Sequence, residues 1–236
     1  MDVPKEPPAF ELIPLTRTRQ AISERVSKSR QTIPHFDLFA QVDASALVEY
    51  RQRRKEREGE DAPTYNDLFI YIVARVLPGF PVLNAWYEES GLKTFAAVNL
   101  GFAVQTHEGV LLPTVFNANE KALRQISEEA RELTRLAREG RLRASLQRYA
   151  GFTISNMGPS GIVGFNAVIS PPQTGILAIG PLARRPLVAG DELAVRTTAW
   201  LTLTVDHRVV DGQVGASFLS ALKERIESWS GEEGER

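Results

Sequence analysis

Residues 196–212 read RTTAWLTLTVDHRVVDG, and the reading of this stretch decides the fold. From Leu201 to Val205 apolar and hydroxyl-bearing residues alternate, the period of a β-strand with two unlike faces. The alternation runs straight into Asp206 and His207, so the sheet ends where the histidine begins. Asp211 and Gly212 follow at a spacing that suits a tight turn. The final helix comes next, with Phe218, Leu219, Leu222 and Ile226 on one stripe.

Upstream of this strand lie two more, GFTISN (151–156) and GILAIG (175–180), separated by turns at Gly158–Gly161 and Pro171–Pro172, with a further turn at Ala189–Asp191. NANEKALRQISEEARELTRLAREG (117–140) gives the clearest helix, with Leu123, Ile126, Ala130, Leu133 and Ala137 as its buried stripe. Asn119 is its expected N-cap and Gly140 its expected stop. VNLGFAV and GVLLPTV read as two strands around a turn at His107–Gly109. TYNDLFIYIVARVL (64–77) is apolar nearly all round, which predicts a buried helix started by Thr64 or Asn66 and stopped near Pro78. Residues 43–58 read as a helix that ends in the solvated charged run RQRRKEREGED. Before it, Phe36, Leu38, Ala40 and Val42 alternate as a strand whose Phe39 implies cover on the second face. A short amphipathic helix carries Ala21, Ile22 and Val26.

Residues 1–14, with four prolines among charges, predict a linker or arm, 15–230 one globular domain, and 231–236 a frayed tail. Strands and helices alternate without a strict βαβ rhythm, so the expected fold class is α/β, a mixed β-sheet packed with helices.

Composition excludes several classes of chemistry. There is no cysteine, which removes disulfides, thiolate metal sites and cysteine nucleophiles. A net charge of -1 provides no bulk field for nucleic acid or an anionic membrane. No stretch approaches the roughly 18 apolar residues of a membrane span, and the first residues lack a signal peptide, so a cytoplasmic protein is expected. The three histidines are not at ligand spacing, so no metal is expected. His35, just before a strand, and His107, in a turn, read as structural or exposed.

His207 is different, because a strand end holds it rigidly while presenting it at an edge, although the H-x-x-x-D-G spacing by itself fits a structural turn equally well. A neutral imidazole can take the proton of a thiol, which is largely protonated at neutral pH and is a weak nucleophile until it loses that proton. Asp211 can fix the turn, and Gly212 lets the backbone bend close to the site. In FTISNMG, Ser155 and Asn156 end a strand where a hydroxyl can donate to a developing oxyanion. Taken without the histidine motif, they read better as residues that cap a strand end and satisfy a turn. No G-x-S-x-G elbow surrounds Ser155, and no Walker or Rossmann glycine loop occurs.

DHRVVDG after an alternating strand resembles the active-site signature of the dihydrolipoamide acyltransferase (E2) components of the 2-oxoacid dehydrogenase complexes. RQAISERVSKSRQTIPHF, TYNDLFIYIVARVLPGFPVLNA, VNLGFAVQTHEGVLLPTV, AREGRLRASL and FTISNMGPSGIVGFNAVISPPQTGILAIG resemble further segments of that family in the same order, over roughly residues 15–228. The resemblance implies a chloramphenicol acetyltransferase-like fold and an acyl group, acetyl in preference to branched-chain or succinyl, moved between a dihydrolipoyl thiol and coenzyme A. It implies His207 as general base, Asp211 as the residue holding the loop, Ser155 as donor to the tetrahedral intermediate, and Arg19 as an anchor of the active-site turn. It implies a homotrimer with sites between chains, a 24- or 60-subunit core, and partnership with lipoyl domains and the E1 and E3 components. The lipoyl group would be carried on another domain or chain. THEG in place of T-P-D-G, and Tyr149–Ala150 in place of a glycine pair, depart from the family pattern. A core-forming paralogue with little activity and a small-molecule O-acetyltransferase of the same superfamily are the competing expectations.

Overall fold

In the computed structural model the stretch quoted first ends a 15-residue strand, and the described residues are 10–158 and 160–231. In chain order the elements are α1 (Arg17–Thr32), β1 (His35–Asp43), α2 (Ser45–Glu58), α3 (Tyr65–Val76), β2 (Ala85–Glu88), β3 (Gly91–Thr94), β4 (Leu100–Phe102), β5 (Val104–Thr106), β6 (Gly109–Leu111), β7 (Thr114–Val115), α4 (Leu123–Arg138), β8 (Phe152–Asn156), β9 (Gly175–Ile179), β10 (Ala183–Ala189), β11 (Glu192–Asp206) and α5 (Gly212–Glu227).

The main sheet has seven strands in the order β1-β11-β9-β8-β4-β7, with β10 paired to the first half of β11. β4, β8 and β9 run parallel to their neighbours among themselves, and the remaining pairs are antiparallel, so the sheet is mixed as expected. Every residue of β9 is buried. α5 lies against β1 and β11, and α3 packs between α4 and α5. The stripe Phe218, Leu219, Leu222 and Ile226 is buried; a fully buried side chain of this kind contributes about 1.5–3 kcal/mol. This packing fixes the turn between β11 and α5 at both ends.

α3 starts as its sequence predicts. The Thr64 hydroxyl accepts from the Asp67 amide at 3.2 Å, while the Asp67 carboxylate accepts from the Thr64 amide at 2.8 Å. α4 buries its expected stripe, and its chain reverses at Gly140.

Several expectations are corrected. The cap of α4 is Ala122, whose amide donates to the Gln125 side chain; Asn119 lies in a preceding 3-10 turn, where its side chain accepts from Val98 N. VNLGFAV is split at Ala103, β4 joining the main sheet and β5 pairing with β6 in a separate ribbon. ARRPLVA, unread in the sequence, is strand β10. α1 is a full helix of 16 residues, yet Ala21 and Val26 are exposed and only Ile22 turns partly inward. Phe39 is 58% exposed, so among the described residues little covers the outer face of β1. Of the expected arm and tail, residues 10–14 have no regular secondary structure and are exposed, while 1–9 and 232–236 lie outside the described residues.

Candidate active site

His207 is the first residue beyond β11, and three contacts fix it. Its amide donates to Pro34 O at 3.0 Å, which ties the strand end to the entry of β1. Its ring stacks on Phe36, with centroids 4.5 Å apart and planes 20° from parallel. Nδ1 lies 3.0 Å from the carbonyl oxygen of Val210. A carbonyl only accepts, so Nδ1 carries the hydrogen and Nε2 is left with its lone pair. His207 is exposed, and Nε2 has no partner among the described residues.

The turn carrying the histidine is held from both sides. Asp211 caps α5, its carboxylate accepting from Val214 N at 3.1 Å. The start of that helix is therefore fixed, and with it Val210 O. Gly212 is the first helical residue; a Cβ there would stand 3.4 Å from the Phe36 ring, so the glycine leaves room for the ring that stacks on His207. On the strand side, Asp206 is fully buried, and Arg208 folds back to grip it with Nε at 2.9 Å and Nη2 at 2.6 Å. These hydrogen bonds hold the Arg208 guanidinium further in its charged form. Sequence reading missed the Asp206–Arg208 clamp, although the charges flanking His207 were a signal for it. Phe36 carried no such signal.

Ser155 is the penultimate residue of β8, half-buried, and its hydroxyl has no protein partner among the described residues. Asn156 shapes the turn after it, its side-chain oxygen accepting from Gly158 N at 2.9 Å. A cavity of about 740 Å³ opens beside Asn156 and Gly158, lined also by Asp67, Arg131 and Arg138. Burial pushes the Asp67 carboxyl above the usual carboxylate range, against the opposing pull of its hydrogen bonds to Thr64. The segment after the serine returns across the sheet so closely that a Cβ on Gly180 would lie 2.6 Å from the carbonyl oxygen of Val163.

Within one chain His207 and Ser155 do not meet. Register places Ser155 opposite Ala178, and Ala178 opposite Thr202. His207 stands five residues further along, so at about 3.3 Å per residue and 4.8 Å between strands the two are roughly 19 Å apart. They lie on opposite rims of the sheet.

The other expected residues have different neighbours. Arg19 and Ile22 lie against Gly109 at the tip of the β5–β6 ribbon, not against the His207 turn, and Thr18 donates to Glu108 of the same tip at 2.8 Å. His107 is exposed in that turn. His35 is a structural linker: Nδ1 bonds Ile33 O at 2.9 Å, and Nε2 accepts from Ile169 N at 3.3 Å. Among the described residues no cluster of three or more His, Asp or Glu is placed to hold a metal ion, and no helix is long and apolar enough to cross a membrane.

A mixed sheet of this order, with a histidine on one rim and a strand-end serine on the other, has the chloramphenicol acetyltransferase-like fold. A chloramphenicol acetyltransferase superposes with a TM-score of 0.53 over 86% of this chain and 94% of its own, at 15% identity, which speaks for the fold alone. Residues 7–231 match the model of the 2-oxoacid dehydrogenases acyltransferase (catalytic domain) family, and the chain belongs to that family. The dihydrolipoyllysine-residue acetyltransferase component of the pyruvate dehydrogenase complex of Rickettsia felis is 38% identical over 96% of this chain and 56% of its own length. The chain thus spans little more than half of that relative. A probable dihydrolipoamide acetyltransferase from Listeria monocytogenes superposes with a TM-score of 0.89 at 34% identity, covering 94% of this chain and 97% of that one. The cubic core of a pyruvate dehydrogenase multienzyme complex also gives 0.89, at 30% identity, covering 96% and 98%.

Proposed function

We propose that this chain is the acyltransferase domain of a pyruvate dehydrogenase complex and moves an acetyl group between the thiols of a dihydrolipoyl group and coenzyme A. The observation that carries this reading is the fixed tautomer of His207, whose Nδ1–H is spent on Val210 O so that the lone pair of Nε2 faces outward. Nε2 takes the proton of the attacking thiol, and the sulfur forms a bond to the thioester carbonyl carbon. The oxygen of the resulting tetrahedral adduct gains negative charge and accepts a hydrogen bond from the Ser155 hydroxyl. Collapse breaks the original carbon–sulfur bond, and the departing sulfur recovers the proton from Nε2, so no acyl-enzyme forms. Base catalysis of this kind is worth about 10²–10⁴ in rate, and a single oxyanion donor about 10²–10³.

The roughly 19 Å between Ser155 and His207 requires two chains per site, the base from one and the donor from the next. A homotrimer that builds a 24- or 60-subunit core satisfies this requirement, and the likeness to a cubic core supports it. Lipoyl domains on another segment or chain would deliver the dihydrolipoyl group, and the E1 and E3 components would be the other partners. A cytoplasmic setting belongs to the same reading. Asp211 and Gly212 hold the base, and Asn156 shapes the turn after the donor. Arg19, which lies by Gly109 within its own chain, could anchor the His207 turn only of a neighbouring chain.

The test is transfer from acetyl-CoA to dihydrolipoamide by the purified chain and by H207A. A loss of at least about a hundredfold in the variant is expected. A folded wild type that transfers nothing from acetyl-, succinyl- or isobutyryl-CoA would refute the reading.

A further inference from the structure

β2 and β3 form a two-stranded ribbon apart from the main sheet, and its connection to that sheet is informative. Trp86 forms a single β-bridge with Gln173, and Tyr87 N donates to Pro172 O at 2.8 Å. Both contacts lie just before β9, at the rim where Thr174 O accepts the amide of Asp206. The ribbon therefore delivers Tyr87 to the back of the histidine turn. There its ring lies under the guanidinium of Arg208, 3.9 Å from centroid to carbon.

We propose that Tyr87 is a positioning residue for the base, acting through Arg208. The proposal rests on the acyl-transfer reading above. Asp206 is a fully buried carboxylate, and Arg208 supplies its counter-charge, donating from the backbone amide at 3.1 Å as well as from the guanidinium. The clamp spans residues 206 to 208 and so encloses His207. The same Asp206 gives its carbonyl oxygen to the amides of Val209 and Val210, at 3.1 and 3.0 Å, which sets where Val210 O meets Nδ1 of His207. The Arg208 side chain is 32% exposed, so water competes for its donors. The Tyr87 ring covers one face of the guanidinium with π-density and withholds that face from solvent. Without the ring Arg208 samples extended rotamers, the buried carboxylate loses its partner part of the time, and the turn loosens. The Nδ1 bond then breaks intermittently, and Nε2 carries the proton in a fraction of the molecules. The role needs an aromatic face and not a hydroxyl, since the Tyr87 hydroxyl makes no hydrogen bond among the described residues.

The test compares Y87L, Y87F and R208K with wild type in steady-state acetyl transfer, with a thermal melt to confirm folding. Y87L is expected to lower kcat about tenfold with KM for both substrates within about twofold, because orientation is lost and binding is not. Y87F is expected to keep kcat within about twofold. In R208K, where the flat guanidinium is gone, adding Y87L should cost less than about threefold more. A Y87L variant with wild-type kcat overturns the proposal, as does a rise in KM alone, or a Y87F variant as slow as Y87L. A wild type without transfer activity would instead remove the functional reading on which the proposal rests.

Discussion

Mixing two inactive variants offers the sharpest test of where the site lies. H207A lacks the proposed base and S155A the proposed oxyanion donor, and each should retain less than about one hundredth of wild-type kcat. Neither change should harm the fold, since His207 is exposed and the Ser155 hydroxyl has no protein partner among the described residues. The roughly 19 Å between the two positions is more than four times the reach of either side chain, so one chain cannot supply both groups to one thioester. In any closed ring each site takes its base from one chain and its donor from the next. If the variants are unfolded together in equal amounts and refolded, about one site in four pairs an intact base with an intact donor. The mixed assembly should therefore recover about a quarter of wild-type kcat, whether the ring holds two chains or three. Thioester formation from acetyl-CoA measures the activity, and different affinity tags on the two variants verify that chains have exchanged. Exchanged assemblies no more active than their better parent would refute the placement of base and donor on different chains.

Three further outcomes follow from particular contacts. Burial raises the Asp67 carboxyl, so the folded chain holds that proton to higher pH than the unfolded chain, and stability drains away as pH rises from about 4 to the folded value; D67N, which keeps an oxygen for Thr64 N, should flatten that slope in denaturant midpoints taken across pH 4–7. D211A removes the cap of α5 and should cost about 1 kcal/mol by urea unfolding, together with a fall in kcat because Val210 O moves with the helix start. G180A forces a methyl against the backbone oxygen of Val163, and a thermal melt should report a loss of at least about 2 kcal/mol, whereas alanine at Gly79, which meets nothing within 4 Å, serves as the control.

What could be read in the sequence was whatever local chemistry decides. The start of α3 at Thr64 (one of the two expected, Asn66 being the other), the buried stripe of α4 and the alternation in β11 are set by residues within a few positions of one another. Asn119 looked like a cap because its type suits one, but it serves Val98, 21 positions away, and Gln125 caps the helix instead. β10 was hidden because Arg184, Arg185 and Pro186 have no strand pattern of their own; pairing to β11 makes the strand. VNLGFAV alternates evenly across its break, and only the separate partners β8 and β6 divide it. At the candidate site, motif and strand end singled out His207, Asp211 and Ser155, whose roles remain the proposal above. The Phe36 stack and the Tyr87–Arg208 contact join residues 171 and 121 positions apart, and no local pattern encodes such distances.

The opposite rims of the sheet have a consequence for control. If His207 and Ser155 are base and donor as proposed, a chain in which they never face each other is inert as a single molecule, however well folded it is. Catalytic power then belongs to the assembled state, and dilution below the dissociation constant acts as an inhibitor that touches no active-site atom. A newly synthesised chain would meet thioesters in the cell without cleaving or scrambling them until it had found its neighbours.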